Sequence, residues 1–283
     1  MTVKLVTDST SYINEAIQKD LEIRTLQLSV HFLDESWNET EVPYDYFYQK
    51  IETDNVIPTS SQPTLGEMYE TFKEIVIRGE EVLGIFISSK MSGTYESALS
   101  AKKMILEESP KVRIEILDSK TNCMAMGIQV IEAAMAAQAG KKMEEIIEIA
   151  QNIRERVHFY FVPASLKYLI KGGRIGGAAG IIGSFLHICP ILYVNDGVTD
   201  VFDKVRGRQK GIKRILSQLN EDAKKNGIKY LLVHHINDEK YGKELAATLS
   251  QQYNRVVPVI SIGPVIGLHV GPGTIAIAYC TEQ

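Results

Sequence analysis

The sequence predicts an α/β protein of two domains, an N-terminal domain built on a parallel sheet and a C-terminal domain built on a mixed or antiparallel sheet. Three observations carry that expectation. In the first half, short apolar runs alternate with segments of helical spacing, as in parallel strands whose two faces are covered by helices. In the second half strands follow one another closely, and the Asn195-Asp196-Gly197 between two of them marks a tight hairpin. The chain has 283 residues, 45% of them hydrophobic, enough for two domains with cores of their own. The boundary is placed near residue 155, giving domains 1–155 and 156–283.

Val3 to Thr7 alternates as a strand and runs into Asp8-Ser9-Thr10-Ser11, a cluster able to cap a helix from about Ile13 to Lys19. Leu26 to Phe32 reads as a second strand. Pro43 opens a helix that carries Tyr44, Phe47, Tyr48 and Ile51 at helical spacing, and another helix runs from Leu65 to about Ile77. The apolar run Val82 to Ile87 precedes a helix starting near Ser92, Val112 to Leu117 precedes a helix from about Asn122 to Ala139, and a further helix spans Met143 to Arg156. Ile188 to Val194 and Val198 to Val205 form the hairpin. Beyond it come a helix (Gly207 to Lys225), a strand (Lys229 to His235), a helix (Glu239 to Tyr253), a strand (Val256 to Ile262) and a closing strand (Thr274 to Tyr279).

Composition narrows the partners. A formal net charge of −4 gives no general attraction to nucleic acid or to anionic membrane surfaces. Cys123, Cys189 and Cys280 are far apart and lack the spacing of a zinc site or redox pair, so they read as reduced thiols. The start of the chain is already a strand rather than a secretory leader, and a cytoplasmic location is expected. The uncharged stretch from Ile175 to Asn195 is broken by glycines and by Pro190 and reads as a buried helix passing into a buried strand, not as a membrane span.

Three segments combine glycine with small hydroxyls: Thr59-Ser60-Ser61-Gln62-Pro63, Ser88-Ser89-Lys90-Met91-Ser92-Gly93-Thr94-Tyr95 and Gly267-Leu268-His269-Val270-Gly271-Pro272-Gly273. The first two lie where a strand or linker gives way to a helix, whose free N–H groups suit a carboxylate or phosphate. The third reads as a loop whose glycines leave the His269 imidazole uncovered. Together they describe an anion-holding site without a catalytic base. Gly172-Gly173-Arg174-Ile175-Gly176-Gly177 does not fit a dinucleotide loop, and phosphate-loop, zinc-helix and nucleophile-elbow motifs are absent from the sequence. Alternatives stand beside these readings: Ser92 as a helix cap, Asp8 as a helix-start residue, His269 as a structural histidine, and a Ser92–His269 nucleophile pair. The other histidines read as structural or surface groups.

Val6-Thr7-Asp8-Ser9-Thr10, Thr59-Ser60-Ser61-Gln62-Pro63, Ser92-Gly93-Thr94-Tyr95, Asp118-Ser119-Lys120, Gly172-Gly173-Arg174-Ile175 and the glycine-flanked His269 segment, in this order along the whole chain, resemble the DegV family of bacterial fatty-acid-binding proteins. The resemblance implies a two-domain α/β architecture with one long-chain fatty acid at the domain interface and no other cofactor. It also implies a partner, a fatty acid kinase, which uses ATP to phosphorylate the bound carboxylate and so feeds phospholipid synthesis. The carboxylate-binding residues would be Ser60, Ser92 and His269, with Thr59, Ser61 and Gly93 as further pocket residues. Where the family commonly has threonine this chain has Ser60, which keeps the hydroxyl and lacks the methyl.

In such a site the buried acyl chain contributes about 0.8 kcal/mol per methylene, and the hydroxyl and imidazole donors offset the burial of the head, which in turn favours a protonated imidazole. Ile181 to Ile191, with Phe185, Leu186 and Ile188, is a candidate tunnel wall, as are Met124 and Met126; plain core is the alternative for each. Arg174 and Arg206, within the basic groups Lys167/Lys171/Arg174 and Lys204/Arg206/Arg208/Lys210, are candidates for kinase docking, a solvated face being the alternative. A different function class is a small-molecule enzyme with His269 as a covalent or acid/base residue, suggested by the family's fold relationship to the substrate subunit of dihydroxyacetone kinase.

Overall fold

The structure is a computed structural model that describes residues 2–54, 56–184 and 188–283. The chain forms two units, Met1–Ser29 with Ser60–Glu155, and Val30–Thr59 with Arg156–Gln283. A single cut near residue 155 therefore differs from the observed division by residues 30–59, which group with the second unit. The reason is specific packing: in that segment buried Tyr48 bonds to the carbonyls of Ile262 and Gly263, and buried Glu39 to the amide of Val265.

The first unit begins with β1 (Val3–Asp8), a 3-10 turn (Ser9–Ser11), α1 (Glu15–Asp20) and β2 (Arg24–Leu26). An excursion follows: β3 (Ser29–Phe32), β4 (Glu35–Asn38), α2 (Tyr44–Asp54) and β5 (Thr59–Ser61), whose strands make a small sheet in the order β4-β3-β5. The first unit then resumes with α3 (Leu65–Ile77), β6 (Glu81–Phe86), α4 (Thr94–Glu108), β7 (Ile114–Asp118), α5 (Cys123–Gln138) and α6 (Met143–Arg156). Its sheet runs β2-β1-β6-β7 and all its pairings are parallel, as the alternation of strand and helix requires. Val6, Met68, Phe72, Phe86 and Ile114 form a core beneath α3 and α4. Helix α5 is apolar around most of its circumference and is accordingly buried, including Met124 and Met126.

Local chemistry explains the boundaries. Thr64 accepts the Glu67 N–H at 3.2 Å while Glu67 accepts the Thr64 N–H at 2.9 Å, a reciprocal cap that starts α3 where expected. Two expectations differ from the structure here. Asp8 caps only the short 3-10 turn, and α1 takes its cap from Asn14, whose side chain accepts the Ala16 N–H at 2.8 Å. The single strand Leu26 to Phe32 is two, β2 and β3, belonging to different sheets.

The second unit adds β8 (Val157–Val162), α7 (Lys167–Lys171), a 3-10 helix (Gly176–Ser184), β9 (Cys189–Asn195), β10 (Val198–Val205) and α8 (Arg208–Asn226). It closes with β11 (Tyr230–His235), α9 (Glu239–Tyr253), β12 (Val259–Ser261), α10 (Pro264–Val270) and β13 (Ile275–Cys280). The sheet order is β10-β9-β8-β13-β11-β12, antiparallel except for β11 with β12, which α9 connects as a parallel crossover. The β9–β10 hairpin turns at Asp196 and Gly197, both with positive φ. Its core joins Val162, Ile191, Ile215, Val233, Leu249 and Ile277.

The expected helix after Ile175 is a 3-10 helix in which Ala178 is buried and Gly176, Gly177, Ala179 and Gly180 are exposed. Gly176, Gly177 and Gly180 have no side chain to bury. Phe185 and Leu186 of the proposed tunnel wall, and His187, lie outside the described residues. Among the described residues no helix is long and apolar enough to cross a membrane.

Candidate functional site

In the first unit Asp8, the loop after β6 that carries Ser92, and Asp118 stand at the carboxyl ends of the parallel strands β1, β6 and β7, where loops of such sheets meet ligands. Asp8 ends β1 and is fully buried; its carboxylate accepts the Thr10 N–H at 3.0 Å and the Ile87 N–H at 2.9 Å, tying that strand end to the end of β6. Burial pushes its carboxyl up to about 6, against the pull of those hydrogen bonds. The loop after β6 is then folded by its own backbone: the Ser88 carbonyl accepts the N–H of Met91 at 2.9 Å and of Ser92 at 3.1 Å. Asp118, at the end of β7, accepts from the Ser89 hydroxyl at 2.6 Å and the Lys120 N–H at 2.8 Å.

Ser92 emerges half-buried from this turn. It is not the helix cap: Gly93 holds that position and offers no side chain, while the Ser92 hydroxyl lies 2.8 Å from that of Thr94 and accepts the Thr94 N–H at 3.3 Å. With Thr94 donating its proton to Ser92, the Ser92 hydroxyl proton is left for an acceptor such as a carboxylate. The segment 59–63 comes alongside. Gln62 bonds to Ser97 of α4, and a Cβ on Gly93 would stand 2.2 Å from Gln62 Oε1. Thr59, Ser60 and Ser61 are the strand β5, with Ser60 and Ser61 half-buried and Thr59 exposed.

In the second unit His269 lies not in a loop but in the last turn of α10. Pro264 opens that helix at its first turn and Gly271, at φ 94°, ends it, the ordinary asymmetry of helix ends. The neighbouring glycines serve close packing rather than exposure. A Cβ on Gly267 would meet the Tyr48 hydroxyl at 1.8 Å, and one on Gly271 the Tyr168 ring at 2.3 Å. The imidazole itself rests on Gly172, where a Cβ would come within 2.4 Å of Nδ1. That contact brings two of the sequence motifs together.

His269 is half-buried, and desolvation, aided by the positive charge of Arg174, holds its pKa down to about 4. The imidazole is therefore neutral at pH 7, with one N–H in its donor inventory; the protonated ring expected from the sequence is the form a bound carboxylate would favour. A bound carboxylate acts in the opposite direction to Arg174. Arg174 is exposed and donates to the Gly172 carbonyl at 2.6 Å.

The two basic groups are smaller than expected. Helix α7 stops at Lys171, and the turn at Gly172 and Gly173 separates Arg174 from the lysine face. Arg208 is engaged by Asp238 at 2.5 Å and lies over the Tyr241 ring at 4.4 Å, while Arg206 is exposed in the link from β10 to α8. Sequence reasoning missed Tyr48, Glu39, Tyr168 and Gly172 as supports of His269. The signal for α10 was present in Pro264 and Gly271; no local signal pairs Tyr48 with Gly267. Cys123 and Cys280 are buried, Cys189 is half-buried, and none of the three is in a disulfide.

Comparison with known proteins gives matches along the whole chain. The family model described as "Uncharacterised protein, DegV family" matches residues 2–282. A DegV domain-containing protein of Clostridium acetobutylicum is 45% identical over 284 aligned positions, covering 100% of this chain and 99% of the relative. The crystal structure of DegV from Bacillus subtilis, described as a fatty acid binding protein, superposes with a TM-score of 0.90 at 33% identity, covering 99% of each chain. A DegV family protein from Thermus thermophilus, described by its fatty acid binding, gives 0.88 at 27% identity over 99% of this chain and 100% of that one.

Proposed function

The chain belongs to the DegV family, and on that premise we propose that it binds a long-chain fatty acid non-covalently and presents the carboxylate to a separate fatty acid kinase. The observation that carries the reading is its full-length likeness to DegV proteins described as fatty acid binding. The chemistry of the individual residues supports it. Ser60 and Ser92 bring half-buried hydroxyls, with Thr59, Ser61 and Gly93 beside them, and His269 brings a neutral imidazole N–H. Such donors satisfy a carboxylate without a fixed countercharge and leave one of its oxygens open to phosphorylation. The apolar tail supplies most of the affinity, at about 0.8 kcal/mol per buried methylene.

The protein is a carrier in this account and the kinase performs the chemistry. ATP supplies the phosphoryl group, the carboxylate oxygen attacks it, and ADP leaves; the acyl phosphate then serves phospholipid synthesis in the cytoplasm. Arg174 and Arg206, both exposed, are the residues this reading assigns to contact with the kinase. Native mass spectrometry of the purified protein, followed by incubation with purified kinase and ATP, tests the reading. Co-purified fatty acid converted to acyl phosphate is the expected result. A covalent adduct on His269, or hydrolytic turnover by the chain alone, would replace the carrier by an enzyme.

A further inference from the structure

The segment 30–59 supplies two buried side chains that act on α10. Tyr48 of α2 donates its hydroxyl to the carbonyls of Ile262, at 2.9 Å, and Gly263, at 3.0 Å, the residues that lead into the helix. The same oxygen lies so close to the helix that only glycine fits at 267, a Cβ there standing 1.8 Å away. Glu39 accepts the Val265 N–H at 3.1 Å, a carboxylate on the positive first turn of α10. At 263, too, a Cβ would strike Glu39 Oε1 at 2.6 Å and the Tyr44 hydroxyl at 2.7 Å.

Helix α10 has seven residues, far too few to hold a position by its own hydrogen bonds. Its place is set by what touches it. Residues 267 and 269 are two apart, roughly 200° around a helix, so Tyr48 presses on one side while the imidazole lies on the other against Gly172. A displacement of the helix at Gly267 is therefore carried directly to the ring at 269.

We infer that Tyr48 is a positioning residue for His269: together with Glu39 it fixes the depth and rotation of α10, and so the place at which the imidazole N–H meets a ligand head. The ligand in that statement rests on the fatty-acid reading; the positioning of the ring does not. Tyr48→Phe keeps the ring and removes the hydroxyl that holds the two carbonyls. Gly267→Ala places a methyl where that hydroxyl stands.

The test follows the His269 imidazole resonances of the full chain across pH, and measures affinity for a long-chain fatty acid and for the matching primary alcohol. In each variant the His269 titration is expected to move up toward the ordinary imidazole range. Preference for the acid over the alcohol falls roughly fivefold or more, with alcohol affinity kept. A variant that melts earlier yet keeps the parent's His269 titration and acid preference overturns the inference, because Tyr48 would then be ordinary core. Should Tyr48→Phe fail to fold, Glu39→Ala, which removes the acceptor for the Val265 N–H, and Gly267→Ala carry the same readouts. A parent chain that binds no acid defeats the fatty-acid reading, while the His269 titration still decides whether Tyr48 positions the ring.

Discussion

Gly172 is the floor beneath His269: a Cβ there would stand 2.4 Å from Nδ1 of the imidazole. Its φ of −76° is open to any residue, so an alanine at 172 adds a methyl without backbone strain. Gly172→Ala is therefore expected to leave the circular dichroism of the parent and to displace the ring. Fatty-acid affinity falls by roughly tenfold, the scale of one hydrogen bond to a charged group, in isothermal titration. Parent-like affinity would detach the imidazole from the head-group site.

The neutral state of His269 makes a second prediction. Burial and Arg174 hold its pKa near 4, so at pH 7 the ring acts as an uncharged donor. His269→Gln, a neutral donor of similar reach, should retain more affinity for the acid than His269→Ala. Equal losses in the two variants would mean that a protonated ring is needed.

Asp8 gives a prediction about stability and pH. Its folded pKa is raised from 3.8 to about 6, so the native state holds a proton that the unfolded chain has released in that range. Stability contributed by this group is present below the unfolded value and is lost as pH rises through about 6, a difference on the order of 3 kcal/mol. Denaturant melts of Asp8→Asn should lack this fall between pH 4 and 6. A pH profile identical to the parent's would show that Asp8 is not the group responsible.

Much of this was legible in the sequence, and the failures share a cause. Strands followed by their own helices were readable because each is locally patterned, as at Val82 to Ile87, and the Asp196-Gly197 hairpin carried its own turn chemistry. Residues 30–59 were misplaced because their allegiance is decided by Tyr48 and Glu39 meeting residues more than 200 positions away. The glycines around His269 were visible, but their purpose was not: whether a glycine exposes a neighbour or admits a distant tyrosine depends on a contact no local pattern encodes. Ser92 stood out for its hydroxyl, yet its post, one residue before the Gly93 cap, is set by the Ser88 carbonyl turn.

The exposed arginines carry a prediction about the kinase. Arg174→Ala and Arg206→Ala should slow acyl-phosphate formation on lipid-loaded protein without emptying it, and the deficit relative to the parent should deepen as salt is lowered. Rates like the parent's at every ionic strength would place docking elsewhere.

The central claim, that the chain holds a fatty acid by its carboxylate, is tested most directly by titrating delipidated protein with a long-chain fatty acid and with its methyl ester. The ester keeps the tail and loses the charge that Ser60, Ser92 and His269 are proposed to receive. The account predicts saturable one-to-one binding of the acid and affinity for the ester lower by about tenfold or more. Equal affinities, or no binding of the acid, would contradict it.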